Sequence, residues 1–208
     1  MKILVVAATE FEITETKLSF QQSKSIHFLI TEVGMTLTSY SLTKELLTNQ
    51  YDFVINAGIA GAFNKQLSIG EVTAVENDFF AELGAENGDE FIPFSNMNLP
   101  GTYSFINKNF SSSKAYQQLK KVKAATVNKV HGNEESIREF LSIHHVDIES
   151  MEGAAVAMVC EKENIPYLQI RSISNYVTKR NTSEWNIPCA IKNLNSILVK
   201  ILNELHEN

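Results

Sequence analysis

Lys2-Ile3-Leu4-Val5-Val6-Ala7-Ala8, followed without a linker by Thr9-Glu10-Phe11-Glu12, is the stretch that decides the fold. The apolar, β-branched run reads as a buried first strand. Thr9 with Glu12 three residues later forms a capping-box pattern, so a helix is expected to start where the strand stops, over about Glu10 to Leu18. The same couplet recurs outward along the chain. Further strands are expected at Ile26 to Val33, Asp52 to Ala57, Gly70 to Val75, Ala124 to Val130 and Tyr167 to Ser174. Helical periodicity falls at Thr36 to Thr48, Glu134 to Ser142, Glu152 to Glu163 and Pro188 to Leu205, the last with Ile191, Leu194, Leu198, Ile201, Leu202 and Leu205 on one face. Pro188 suits a first helical turn. This alternation predicts an α/β three-layer sandwich, a central mixed sheet flanked by helices, spanning residues 1–208 as one domain. Ser95 to Lys114 breaks the pattern: it is dense in Ser and Asn, carries Pro100-Gly101, and keeps Tyr103, Phe105 and Phe110. It is expected to be a long surface excursion, either covering a ligand or simply flexible.

Composition narrows the partners. The chain has 208 residues, 44% hydrophobic and 20% charged, enough to bury a core without disulfide or metal support. Its 24 acids against 18 bases give a formal charge of -6, and the only arginines are Arg138, Arg171 and Arg180. A nucleic-acid backbone binder needs clustered cations, so no nucleic-acid partner is expected. Cys160 and Cys189 fit neither a zinc set nor a redox pair and read as reduced core thiols, in keeping with a cytoplasmic protein. The opening apolar run is too short for a signal peptide and no stretch approaches a membrane span, so no membrane partner is expected. The sequons at Asn109-Phe110-Ser111 and Asn181-Thr182-Ser183 are then incidental. There is no G-x-G-x-x-G, Walker loop, H-E-x-x-H or G-x-S-x-G. His27, His131, His144, His145 and His206 show no ligand spacing, so no metal and no cofactor are expected.

What remains is a set of carboxylates and amides at the ends of apolar runs, where α/β sheets present their crevices. Glu10 and Glu12 follow the first strand, either as helix-start acids or as site groups. Val146-Asp147-Ile148-Glu149-Ser150-Met151-Glu152-Gly153-Ala154-Ala155 places a carboxylate before an unusually small-residue helix, which serves tight packing or close approach of a ligand. In Gln169-Ile170-Arg171-Ser172-Ile173-Ser174-Asn175, strand alternation sets Arg171 and Ile173 on one face, Ser172 and Ser174 on the other, and Asn175 at the exit. Asn56-Ala57-Gly58-Ile59-Ala60-Gly61 reads as a glycine-spaced loop able to bring backbone N–H groups to a ligand.

In this order and spacing, together with the Val33-Gly34-Met35 turn, these clusters resemble the purine nucleoside phosphorylase and nucleosidase superfamily over nearly the whole chain. Within it the details are similar to the futalosine hydrolases: Val5-Val6-Ala7-Ala8-Thr9-Glu10-Phe11-Glu12, Asn128-Lys129-Val130-His131-Gly132-Asn133-Glu134-Glu135-Ser136, Glu149 to Ala155, and Ser174-Asn175-Tyr176-Val177 leading to Arg180-Asn181 and Trp185. The resemblance implies hydrolysis of the N-glycosidic bond of futalosine to hypoxanthine and dehypoxanthine futalosine, in menaquinone biosynthesis. It also implies a small-molecule nucleoside as partner and a homo-oligomer. Glu12 matches the water-activating carboxylate and Asn175 the group facing the leaving base. Met151, Glu152, Ser174, Ala60, Gly61 and Arg171 match substrate-side positions, with Glu152 accepting from ribose hydroxyls and Arg171 orienting carboxylates. Adenine-releasing relatives carry Asp where Asn175 stands; an amide NH₂ donates and suits a six-oxo purine. The superfamily's phosphorylases tend to place an arginine beside the glycine-spaced segment in sequence, whereas here Ile55, Asn56 and Ala57 precede Gly58 and no arginine occurs before Arg138, which favours water over phosphate as nucleophile. No aromatic near Gly132 to Ser136 matches the base-stacking ring of the relatives, leaving Phe79, Tyr103, Phe105 and Tyr176 as candidates. Arg180, Lys179 and Lys129 are candidates for an aromatic carboxylate at the substrate's far end. The alternatives are a nucleosidase or phosphorylase for methylthioadenosine, adenosylhomocysteine or inosine, and a non-catalytic nucleoside-binding domain.

Overall fold

The computed structural model describes residues 1–107 and 112–206; Phe110 and the Asn109 sequon lie outside them, as does the side chain of His206. In chain order the elements are β1 (Ile3–Ala7), α1 (Glu10–Ser19), β2 (Ile26–Ile30), α2 (Met35–Thr48), β3 (Phe53–Ala62), β4 (Val72–Phe79), β5 (Gly84–Asn87), β6 (Glu90–Pro93), β7 (Ser104–Ile106), α3 (Lys114–Gln117), β8 (Lys120–Thr126), α4 (Glu134–Ile143), β9 (Ile148–Ser150), α5 (Gly153–Lys162), β10 (Tyr167–Tyr176) and α6 (Ile187–His206). The expected α/β architecture, a mixed sheet flanked by helices, is what the chain adopts.

The sheet has a shape that alternation alone does not announce. β3 is long and changes partner partway. On one side it pairs with β10 along almost its full length. On the other, Phe53–Asn56 pair in parallel with β1, and Gly61 and Ala62 pair antiparallel with β9. Because β9 also pairs with β8, β8 with β4 and β4 with β10, the five strands β3, β9, β8, β4 and β10 close into a ring. β1 and β2 extend from the first half of β3 as an open wing. A core cluster with Ala60, Val75, Val122, Ala124, Ile148 and Ile173 draws on every strand of the ring. The wing is packed on both faces, by α6 with α1 and by α2 with α5.

Three expectations are corrected. Gly58-Ile59-Ala60-Gly61 is strand and not loop, because β10 supplies a parallel partner for each of these residues and their small side chains suit two packed faces. Ile148–Ser150, inside the stretch read as the approach to a helix, is β9, the short strand that closes the ring. Ser95 to Lys114 is not a free excursion over its described part: β7 pairs with β4, and Phe105 is buried edge-on against Phe80. Phe79 and Tyr103 line a separate groove of about 370 Å³ that contains none of the predicted site residues.

Candidate active site

Between the last β1 pair at Asn56 and the first β9 pair at Gly61, one edge of β3 has no strand beside it among the described residues. A backbone edge left bare inside a fold needs polar partners. Glu12 supplies one: its Oε1 accepts from Ile59 N at 3.1 Å, while Oε2 accepts from Thr9 N at 3.0 Å and from Thr9 Oγ1 at 2.8 Å. Glu12 thus caps α1 with one oxygen and braces the bare edge of β3 with the other. Asn195 of α6 holds α1 in place, accepting from Thr16 N and Thr16 Oγ1 at 2.9 and 2.7 Å and donating to Glu12 O at 2.8 Å.

The same gap opens onto a cleft of about 320 Å³. Of the residues expected at the site, Glu12, Ala60, Gly61, Met151, Glu152, Ser174 and Asn175 are brought together along it. Glu152 stands immediately before α5, and its Oε1 accepts from Gly34 N at 3.0 Å. Gly34 has φ +101°, a conformation that costs any other residue strain. Burial pushes the Glu152 carboxyl above the ordinary glutamate range; Glu12 adds to this, and Arg171 and the Gly34 N–H oppose it.

At the other end of the cleft a register irregularity between Ile173 and Asn175 breaks the alternation of β10. It lets two consecutive residues, Ser174 and Asn175, face the same cavity, as bulges next to binding sites commonly do. Ser174 Oγ lies 2.8 Å from Asn175 Oδ1 and 3.1 Å from Ala60 O, which engages the amide oxygen. Asn175 Nδ2 donates to Tyr176 O at 3.2 Å and keeps its second N–H.

Arg171 is the predicted residue that does not reach the cleft. It is 2% exposed, with Nε donating to Gln169 Oε1 at 3.0 Å and Nη2 to Asn56 Oδ1. Among the described residues it forms no ion pair, so it influences Glu152 only through space. Behind it a polar chain continues: Gln169 Nε2 donates to Asp78 Oδ2 at 3.0 Å, Thr126 Oγ1 to Asp78 Oδ1 at 2.8 Å, and Ala154 N to Thr126 Oγ1 at 2.7 Å. This network ties the first turn of α5, and hence Glu152, to the strands. Burial lifts the Asp78 carboxyl to about 6 against the lowering effect of those hydrogen bonds and of Arg171.

The structure adds groups the sequence did not single out for the site. His131 and Glu149 both line the cleft and are paired, Nδ1 to Oε2 at 2.6 Å, with His131 N donating to Glu149 Oε1 at 3.0 Å. Trp185 and Phe11 supply aromatic surface; Arg180, already a candidate for the far-end carboxylate, lines the cleft and sits over the Trp185 ring at 5.0 Å from its centroid. None of Phe79, Tyr103, Phe105 and Tyr176 lines the cleft, nor do Lys129 and Lys179. The His131–Glu149 pair spans 18 positions and leaves no local signature. The Arg180–Trp185 spacing was visible, but its meaning depends on the turn at Thr182–Glu184.

The chain belongs to the phosphorylase superfamily, which it matches over residues 5–203. It is similar to futalosine hydrolase of Acidothermus cellulolyticus, 28% identical over 173 residues that cover 80% of this chain and 70% of the relative. It is comparably similar to 5'-methylthioadenosine/S-adenosylhomocysteine nucleosidase of a Shewanella species, 29% identical over 209 residues with 84% of each covered. The native structure of Helicobacter pylori futalosine hydrolase superposes with a TM-score of 0.82 at 19% identity, over 99% of this chain and 98% of that one. The nucleosidase of Colwellia psychrerythraea, solved in complex with adenine, does so equally at 0.82 and 18% identity, over 99% and 96%.

Proposed function

We propose that the chain is a nucleosidase that hydrolyses the N-glycosidic bond of futalosine, releasing hypoxanthine in the service of menaquinone synthesis. The observation that carries this reading is the Glu12 carboxylate at the bare edge of β3, on the same cleft as Glu152 and Asn175. As the bond breaks, the ribose gains oxocarbenium character and the purine gains electron density. Glu12 is the base for water, a role that contributes roughly 10²- to 10⁴-fold in such reactions. Glu152, with one oxygen held by Gly34, offers the other to the ribose hydroxyls, and Met151 gives the sugar an apolar face. Asn175 donates to the departing base. Water is favoured over phosphate because the Ile59 N–H at this edge is already taken by Glu12 and the nearby Arg171 is held by Gln169 and Asn56.

The second reading is a methylthioadenosine or adenosylhomocysteine nucleosidase, favoured by relatives of that name at similar identity. Asn175 argues against it, since Ser174 engages its amide oxygen and Nδ2, with one N–H on Tyr176 O, keeps its second N–H to donate. Incubation with futalosine, methylthioadenosine and inosine, with and without phosphate, separates the readings. Hypoxanthine from futalosine without phosphate is expected; adenine release or strict phosphate dependence would overturn the assignment. Phe11 and Val33, exposed at the cleft mouth, are proposed to be covered by a second copy in a cytoplasmic homo-oligomer, which sedimentation would check.

A further inference from the structure

Outside the four residues given roles above, the cleft holds, among the described residues, one buried acid–base pair. Glu149 is 3% exposed and both its oxygens are occupied by His131, one by the backbone N–H and one by Nδ1. The His131 ring is fixed between Phe63 and Phe140, with centroid distances of 5.8 and 4.4 Å. A carboxylate only accepts, so the contact places a proton on Nδ1, and in the neutral form of the ring Nε2 is then the acceptor. Among the described residues, Nε2 has no hydrogen-bond partner.

The place of the pair in the cleft is set by Gly61. A side chain built there would meet Asn175 Nδ2 at 3.3 Å and Glu149 Cγ at 3.6 Å, so the amide and the pair converge on one glycine. Glu12 is bound two residues earlier, at Ile59, about 7 Å away at the rise of a strand. The cleft therefore has a carboxylate end for sugar and water, and an end where the Asn175 amide and the His131–Glu149 pair both line the wall beside Gly61.

We propose that His131, its tautomer locked by Glu149, is a specificity-determining residue that accepts the N1–H of a six-oxo purine while Asn175 donates to the oxo side of the same base. This rests on the nucleosidase reading and deepens it. A six-oxo purine carries a proton on N1 and an acceptor at position six; a six-amino purine carries the reverse at both. Two acceptors would then face each other at N1 and two donors at position six. Sites built on such pairs reject the wrong analogue far more strongly than apolar pockets do.

The test compares futalosine, its N1-methyl derivative and its six-amino counterpart on the wild type, on His131→Asn and on His131→Phe. Asn keeps a donor for Glu149 where Nδ1 stood, and Phe keeps the ring between Phe63 and Phe140; both remove Nε2. In the wild type, kcat/KM is expected to fall at least tenfold for each altered base. In whichever variant folds, the N1-methyl and futalosine values should come within about threefold of each other, because the lost acceptor no longer distinguishes them. A wild type indifferent to the N1 methyl group, or a variant that lowers all three substrates in parallel, would overturn the role of His131 and leave the nucleosidase reading standing. A wild type that releases base from none of the three would overturn both.

Discussion

Glu12 Oε1 and the backbone N of Ile59 lie 3.1 Å apart, and that contact closes the gap β3 would otherwise leave between β1 and β9. The residue assigned to activate water is thus also part of the fold. Replacing it by Gln presents an NH₂ group to at least one of three donors: Ile59 N, Thr9 N and Thr9 Oγ1. Glu12→Gln is expected to lower turnover at least tenfold and also to cost about 1–2 kcal/mol of stability, the range of a lost helix cap. Steady-state kinetics and urea unfolding on one preparation test both. Full activity would remove Glu12 from the proposed chemistry, and unchanged stability would mean the contact at Ile59 carries no load.

Gly58 is expected to be intolerant of alanine for a steric reason. A Cβ there would stand 2.2 Å from Arg171 Nη1 and 3.1 Å from Glu12 Oε1. The guanidinium cannot move aside freely, being tied to Gln169 and Asn56. Gly58→Ala should therefore destabilise by about 2 kcal/mol or more and displace Glu12, lowering kcat. A melt within about 1 °C of wild type would show that Arg171 has more room than this packing implies.

Asn175 and Ser174 should be separable. Asn175→Asp puts a carboxylate opposite the oxygen of a six-oxo purine and is expected to weaken its cleavage at least tenfold. Ser174→Ala leaves the amide in place but removes the hydroxyl 2.8 Å from Asn175 Oδ1, so a smaller loss is expected, within about tenfold. Kinetics on futalosine order the two. A larger loss for Ser174→Ala would make the hydroxyl, and not the amide, the group that meets the base.

Much of this site was legible because its residues announce themselves locally. Thr9 and Glu12 are three residues apart on one helix turn, and Met151 and Glu152 precede a run of alanines that only a tight helix–sheet contact needs. What the sequence could not carry is the closure of the sheet. β9 has three residues, too few for a periodicity, and its register depends on β8 and β3 together. That closure brings Glu149 beside Gly61 and lets His131 find a partner 18 positions away, while pairing with β10 makes the glycine-spaced segment strand. Arg171 misled for a related reason: a charge in an apolar strand needs partners, but these proved to be the amides of Gln169 and Asn56, not carboxylates.

The Glu152 carboxyl is raised above the usual glutamate range by burial, with Glu12 beside it. If its ionised form accepts from the ribose, kcat/KM should fall on the acid side with an apparent pKa above that of an ordinary glutamate. Glu152→Gln should lose at least tenfold in activity at neutral pH and lose that acid limb with it. An acid limb unchanged in the variant assigns the titration to another group.

Asp78 gives a stability prediction with a definite sign. Its carboxyl is lifted from 3.8 to about 6 in the folded chain, burial outweighing the hydrogen bonds from Gln169, Thr126 and Phe79 N. A group that holds its proton more tightly when folded stabilises the fold below its unfolded pKa, and that contribution is lost as pH rises through the folded value. The full swing is of the order of 3 kcal/mol for a shift of this size. Other acids titrate in the same window, so the readout is the difference between Asp78→Asn and wild type. Any fixed cost of rearranging Gln169 enters that difference as a constant offset, whereas the titration enters as a slope. Relative to wild type, the variant is expected to gain stability steadily between about pH 4 and 7 and then level off. Urea unfolding of both proteins across that range measures the slope; a difference independent of pH would mean that Asp78 remains ionised in the folded chain, and that Arg171 neutralises it more completely than its through-space position implies.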